Sequence, residues 1–159
     1  MGAPDVHMWT DGSANNFTHS AGGWAAILTY GDAIRVVGGF ADNATNNSME
    51  TMALLGGLRA LKKPCKVTVH SDSNYVLTGV RKITMKGKTH GTNTAIWMQV
   101  MTAIGLQAAI SMEFTRGHSD DLLNNMADEF AGWCARNRKP LDISFNNPND
   151  MQIAADTLA

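Results

Sequence analysis

The chain has 159 residues, of which 44% are hydrophobic and 17% charged, a length that suits one globular core and is short for two. The formal net charge of −1 and the pI near 6.5 argue against the strongly basic surface of a tight nucleic-acid binder. No run approaches the roughly 18 apolar residues of a membrane span, and the N-terminus lacks signal-peptide features, so we expect a cytoplasmic protein without membrane contact.

Three strand signals come first along the chain. They cover residues 6–12, 23–30 and 33–41, and the Gly31-Asp32 turn joins the last two. Such short connections predict an antiparallel meander. From Asn46 the apolar period is helical until shortly before Pro64, and a strand over 67–71 follows. Because this strand is entered from a helix, a parallel crossover is favoured.

The second half of the chain reads as helices around one more strand. The predicted elements are helices from Ser73 to about Arg81 and from about Thr94 to Leu106, a strand over 110–116, and a last helix over Leu122–Arg136. This order predicts an α/β protein with a five-stranded mixed sheet, three antiparallel strands followed by two parallel ones, flanked by helices. We expect one domain over 1–136. The tail over 137–159 mixes Pro and Asn with few apolar residues, which predicts weak packing or disorder.

Four acidic residues stand near the ends of these elements. Asp11 ends the first strand, Asp72 follows the fourth, and Glu50 and Asp128 lie on the first and last helices. Each has an ordinary explanation on its own: a turn for Asp11, a helix cap for Asp72, the helix dipole for Glu50, and a solvated helix face for Asp128. If the first and fourth strands are adjacent and parallel, however, Asp11 and Asp72 emerge together at the edge where open α/β sheets bind ligands.

Carboxylates gathered at one edge repel one another unless cations neutralise them. Oxygen ligands without His or Cys favour Mg²⁺ or Mn²⁺. Two such ions about 4 Å apart can hold the attacking and leaving oxygens of a phosphodiester displacement. The sequence therefore predicts a two-metal site formed by Asp11, Glu50, Asp72 and Asp128.

Five segments resemble the motifs of type 1 ribonuclease H (RNase HI) in order and spacing: TDGS at 10–13, TNNSMETMA at 45–53, SDSNYV at 71–76, GHSDD at 117–121 and NNMADEFA at 124–131. The resemblance covers about residues 6–136 and implies an RNase H-like catalytic domain. It implies an endonuclease that hydrolyses the RNA strand of RNA/DNA hybrids by two-metal-ion catalysis, leaving 3′-hydroxyl and 5′-phosphate ends. Asp11, Glu50, Asp72 and Asp128 match the family's metal ligands. His118 matches a mobile histidine that assists proton transfer or product release.

The same resemblance implies contacts with the hybrid by six residues: Thr45, Asn46, Asn47, Asn74, Asn93 and Trp97. Asn46 and Asn47 match asparagines that reach the minor groove, and Asn74 stands where the family often has glutamine. Short amides there can meet 2′-hydroxyls and base edges without demanding sequence. Thr45, Asn93 and Trp97 match a pocket for a phosphate of the DNA strand. Thr45 and Asn93 could instead be helix caps, whereas Trp97 could be a core aromatic and line the pocket as well.

One departure from the family lies over residues 77–95. Many bacterial members carry a long basic handle there, and the segment looks shortened in this chain. Four basic residues remain as substrate contacts: Arg81, Lys82, Lys86 and Lys88. Fewer phosphate contacts predict weaker binding with a shallower salt dependence.

Other functions stay open at this stage. One is a non-catalytic hybrid-binding module that keeps the fold, although inactive relatives generally lose an acidic ligand and all four positions are filled here. Another is a different nuclease on the same fold, such as a junction resolvase or a 3′ to 5′ exonuclease, which lacks the TNNxME and GH segments. A polymerase-linked RNase H domain is a third. We expect a free-standing, monomeric hybrid endonuclease.

Overall fold

A six-stranded mixed sheet organises the computed structural model, which describes residues 2–14, 21–115 and 121–158. The strands are β1 (Asp5–Ser13), β2 (Gly22–Tyr30), β3 (Ala33–Ala41), β4 (Lys66–Ser71), β5 (Ala109–Phe114) and β6 (Leu141–Phe145). Their order across the sheet is β5-β4-β1-β2-β3-β6. The pairs β1/β2, β2/β3 and β3/β6 are antiparallel, and β1/β4 and β4/β5 are parallel. The expected antiparallel meander and parallel crossover are therefore confirmed.

Helices cover both faces of this sheet. They are α1 (Asn46–Arg59), α2 (Asn74–Lys86), α3 (Thr94–Gly105), α4 (Leu122–Asn137) and α5 (Pro148–Leu158). Gly87, in the left-handed conformation at φ 62°, ends α2 beyond the predicted stop near Arg81, because Ile83 continues the buried face of the helix. None of the helices described is long and apolar enough to cross a membrane.

Two apolar cores lie on opposite faces of the sheet, because successive strand residues point in opposite directions. On one face Met8 packs in a buried cluster with Leu54 of α1 and Trp97 of α3. On the other face Ile27 packs with Phe130 of α4. The sheet is thus enclosed at its centre, and the ends of its strands are left to form a site.

The C-terminal tail departs from the sequence prediction. β6 pairs with β3 from Ile34↔Phe145 to Gly38↔Leu141, so the expected five-stranded sheet is wrong and the sheet has six strands. α5 packs on α4. Met151 and Ala155 of α5 are fully buried in the core that α4 shares, so α5 is not weakly packed. Sequence patterns do not reveal β6 because it has five residues and pairs with β3 at the edge of the sheet.

Candidate active site

Three carboxylates meet at the carboxyl edge of the sheet. Asp11 lies near the end of β1, Asp72 directly follows β4, and Glu50 lies in the second turn of α1. β1 and β4 are neighbouring parallel strands, so their ends emerge side by side. One carboxylate oxygen from each residue lies within 4.8 Å of the other two. The structure thus brings together three of the four predicted metal ligands.

Gly12 permits the close approach of α1 to β1 that joins two of these groups. A Cβ added to Gly12 would lie 2.3 Å from the backbone nitrogen of Glu50 and 2.3 Å from the carbonyl carbon of Met49. The Gly12 N–H also donates to Asp11 Oδ1 at 2.9 Å. The glycine of the TDGS segment therefore serves helix–strand packing at the site.

Burial and mutual repulsion shift the protonation of the two inner carboxylates. Asp11 is 6% exposed and Glu50 9%. Burial, reinforced by the charge of Glu50 and a hydrogen bond with it, raises the pKa of Asp11 to about 10. Burial and the charges of Asp72 and Asp128 raise the pKa of Glu50 to about 7, although its hydrogen bond with Asp11 acts in the opposite direction. Without a cation, the pair therefore retains a proton at neutral pH.

The donor set fits a hard divalent cation. Glu50 Oε2 is buried and has no hydrogen-bond partner within the described part of the chain. A buried carboxylate oxygen without a partner is costly, and a cation would satisfy it. Oxygen donors alone are typical of Mg²⁺ and Mn²⁺ sites. Asp11, Glu50 and Asp72 could therefore hold a divalent metal.

Asp128, the fourth predicted ligand, lies on the open side of the cluster. It is exposed on α4, and its charge contributes to the raised pKa values of Asp11 and Glu50. It lines an open pocket of about 490 Å³ with Ser13 and Glu129. Asp128 is therefore close enough to act electrostatically on the cluster without belonging to it. The predicted His118 lies outside the described residues.

The residues predicted to form a phosphate pocket are used differently from one another. Thr45 caps α1, its Oγ1 accepting from the Ser48 N–H at 3.0 Å. Trp97 is fully buried, and its Nε1–H donates to the Tyr75 hydroxyl at 3.1 Å. Asn93 occupies the N-cap position of α3 without a side-chain cap bond, and its Nδ2 donates to the same hydroxyl at 3.0 Å. Asn93 thus caps α3 through its backbone carbonyl and not through its side chain, and Tyr75 is the partner that Trp97 and Asn93 share.

His90, which the sequence left unassigned, connects this group to the basic segment. It is 9% exposed and stacks on Tyr75 with ring centroids 4.4 Å apart. Its Nε2 lies 2.8 Å from the Tyr75 carbonyl oxygen, which places the ring proton on Nε2. Nδ1 is then the acceptor for the Lys82 ammonium at 3.2 Å. A lone loop histidine gives no sequence signal for such a role, because its partners lie on two other segments.

The remaining predicted contacts lie around the cluster on the surface. Asn46 and Asn47 open α1, and Asn74 opens α2 directly after Asp72 and Ser73. Asn46 Oδ1 accepts from the Ala14 N–H at 3.0 Å and so links α1 to the chain that follows β1. The other basic residues are exposed at the end of α2 and just beyond it: Arg81, Lys86 and Lys88.

This fold and cluster define a class, that of α/β proteins with an oxygen-ligand cation site at the carboxyl ends of parallel strands. Comparison with known proteins gives the family. The RNase H family profile matches residues 3–136. A Ribonuclease H of Caldicellulosiruptor saccharolyticus is 36% identical over 137 residues, covering 80% of this chain and 93% of that protein. One from Bordetella pertussis is 36% identical over 135 residues, covering 79% and 86%.

Two solved structures share the fold. The crystal structure of LC9-RNase H1, described as a type 1 RNase H with the type 2 active-site motif, has a TM-score of 0.80 at 19% identity. It covers 99% of this chain and 86% of that one, so the likeness includes β6 and α5. RNase H1 of Halobacterium salinarum NRC-1 has a TM-score of 0.65 at 20% identity, covering 85% and 99%. The chain belongs to the RNase H family, and the resemblance seen in its motifs is confirmed.

Proposed function

We propose that the protein is an endonuclease that hydrolyses the RNA strand of RNA/DNA hybrids and leaves 3′-hydroxyl and 5′-phosphate ends. The observation that carries this proposal is the meeting of Asp11, Glu50 and Asp72 within 4.8 Å at the carboxyl edge of the sheet. Membership of the RNase H family supports the same reaction and substrate. Dependence on a divalent metal follows from the family and from the donor set.

We assign two Mg²⁺ ions, with Mn²⁺ as a possible substitute, to Asp11, Glu50, Asp72 and Asp128. When bound, such ions supply Lewis-acid chemistry at the attacking and leaving oxygens of the phosphodiester. The contribution of the chain is to hold the ligands. The paired strands β1 and β4 fix Asp11 and Asp72, and the packing of α1 on Gly12 fixes Glu50. The assistance of His118 in proton transfer or product release stays a prediction from the sequence.

The surroundings of the cluster support a substrate with 2′-hydroxyls. Asn46, Asn47 and Asn74 are exposed and start the two helices that carry or follow the carboxylates. Their amides could donate to 2′-hydroxyls and accept from base edges without a sequence requirement. The basic residues of α2 provide phosphate contacts on one side of the site. We further propose that the protein acts as a monomer, since one chain supplies all the carboxylates. We also propose that it is cytoplasmic.

Cleavage of end-labelled nucleic acids tests the proposal. We expect Mg²⁺- or Mn²⁺-dependent cutting of the RNA strand of a hybrid, and no cutting of single-stranded RNA, duplex RNA, duplex DNA or a four-way junction. Asp11→Asn should reduce the rate at least about 100-fold, whereas Asp32→Asn, in the exposed turn after β2, should not. Cutting of the junction or duplex DNA would indicate another nuclease. A folded protein that binds hybrid without cutting it would be a binding module.

A further inference from the structure

A groove beside the active site carries two arginines that no part of the assigned site uses. It has a volume of about 480 Å³. It lies between the end of β1, at Ser13 and Ala14, and the end of α4. Arg136 and Arg138 line its opposite wall. We propose that this groove is a second phosphate-binding surface for the RNA/DNA hybrid, a proposal that rests on the function proposed above.

The first argument is the position of the groove relative to the carboxylates. α2, with its basic end, follows β4 and packs towards β5, whereas α4 packs on β1, β2 and β3. Asp11 and Asp72 lie between these two regions of the sheet. A duplex presents two phosphate backbones, so the α2 surface and the metal site leave the phosphates on the α4 side without a cationic partner. The two arginines supply positive charge on the other side.

The second argument concerns how the chain makes room for Arg136. Small residues form the wall of the groove next to it, namely Ala21, Gly132 and Ala135. A Cβ added to Gly132 would lie 3.0 Å from Arg136 Nη1, so the side chain lies across the glycine. Arg136 Nη2 also donates to the Leu158 carbonyl at the end of α5, at 3.2 Å. The guanidinium is therefore positioned by the helix below it and by the tail, with other N–H groups left for a phosphate.

The third argument is the backbone of Arg138. It follows α4 in the left-handed conformation at φ 51°, a position where glycine is favoured and arginine is strained. Its guanidinium lies 2.7 Å from Asp42 Oδ1 and 5.5 Å from the centre of the Phe40 ring. The ion pair with Asp42 is half-exposed on both sides, and such pairs are weak enough for a phosphate to displace. An arginine in a backbone conformation that favours glycine suggests that its side chain is needed, and phosphate binding is such a need.

Hybrid binding at several salt concentrations tests the proposal, with a fluorescein-labelled RNA/DNA hybrid in EDTA so that no cutting occurs. Each phosphate contact contributes a slope of about −0.9 to log K plotted against log salt. At 0.1 M salt, relative to 1 M, one contact therefore strengthens binding about eightfold. Arg136→Ala and Arg138→Gly should each weaken binding by about that factor and reduce the slope by about one. Arg138→Gly relieves the backbone strain, which offsets the loss of the exposed Asp42 ion pair, so this variant is expected to remain folded.

The matched control is Arg59→Ala. Arg59 ends α1, about 20 Å along the helix from Asn46, and donates to Gln99. Its loss removes the same charge and should leave affinity and slope unchanged. The proposal is overturned if Arg136→Ala and Arg138→Gly bind as the wild type does, or if Arg59→Ala weakens binding equally. A wild-type protein that binds hybrid but does not cut it with Mg²⁺ contradicts the proposed function and leaves the groove measurable.

Discussion

Replacing Asp11 by asparagine is expected to stabilise the metal-free protein near and above neutral pH. The pKa of Asp11 is raised from 3.8 to about 10, mainly by burial. Between these values the folded state keeps a proton that the unfolded chain has released, so stability falls as the pH rises through this interval. Asparagine keeps the shape of the side chain and can donate to Glu50 without binding a proton. The variant therefore escapes this loss.

The size of the effect follows from the width of the interval. The ordinary pKa of Asp11 lies about three pH units below pH 7. At 1.36 kcal/mol for each unit, the loss of folding free energy at pH 7 would be about 4 kcal/mol. Asp11 and Glu50 lie so close that they titrate as a pair. Protonation of Glu50 can therefore relieve part of this loss of folding free energy. We therefore expect Asp11→Asn to increase the free energy of unfolding by about 2 to 4 kcal/mol at pH 7. The difference should vanish below pH of about 4.

Urea unfolding in EDTA across this pH range measures the difference. Asp32→Asn is the control, since Asp32 is exposed in the turn at the opposite edge of the sheet and should change stability by less than about 0.5 kcal/mol. Added Mg²⁺ should stabilise the wild type more than Asp11→Asn, because only the folded wild type keeps all of its ligands. The reasoning is refuted if Asp11→Asn is no more stable than the wild type in EDTA near pH 8, or if the difference between the two proteins does not grow from pH 4 to pH 8.

Two further substitutions test the packing around the site and in the tail. Gly12→Ala should separate α1 from β1 and lower the rate of hybrid cleavage at least about 100-fold. The control is Gly105→Ala, where an added Cβ meets nothing within 4 Å, and it should leave cleavage unchanged. Equal cleavage rates for the two variants would contradict the packing role of Gly12. Met151→Ala should lower the free energy of unfolding by about 2 to 5 kcal/mol in urea titrations. Ile153→Ala, on the exposed side of the same helix, should cost less than about 1 kcal/mol, and a similar loss from both would mean that α5 is not packed as described.

The strand-end carboxylates were predictable because the information is local. Asp11 and Asp72 each end an apolar β run, and the helix between their strands requires a parallel crossover that places both at one edge. The prediction of Glu50 as a ligand needed the family motif as well as the helical pattern. Its position depends on the contact of α1 with Gly12, which no helical periodicity reveals. The resemblance of the TDGS and TNNSMETMA segments supplied that link.

Other features depend on tertiary partners that sequence patterns do not show. β6 has few residues and pairs only with the edge of β3, so its local signal is weak. Tyr75 and His90 join α2 to the loop before α3 through a hydroxyl, a carbonyl and a ring nitrogen. Such polar partners follow no period, and a histidine in a loop is compatible with many surroundings. Trp97 is a core residue, as its burial shows, and its place in a phosphate pocket stays a prediction.

The packing that creates the site also explains why it favours a cation. Asp11, Glu50 and Asp72 are held by separate elements whose backbones contact one another, and not by bonds that depend on a metal. Burial and, after it, mutual repulsion therefore act on these carboxylates in the folded protein and raise the pKa values of Asp11 and Glu50. A cation that enters relieves this repulsion and satisfies Glu50 Oε2. Because one carboxylate oxygen from each ligand lies within 4.8 Å of the others, binding a cation requires little rearrangement, and relief of the repulsion among the carboxylates contributes to metal affinity.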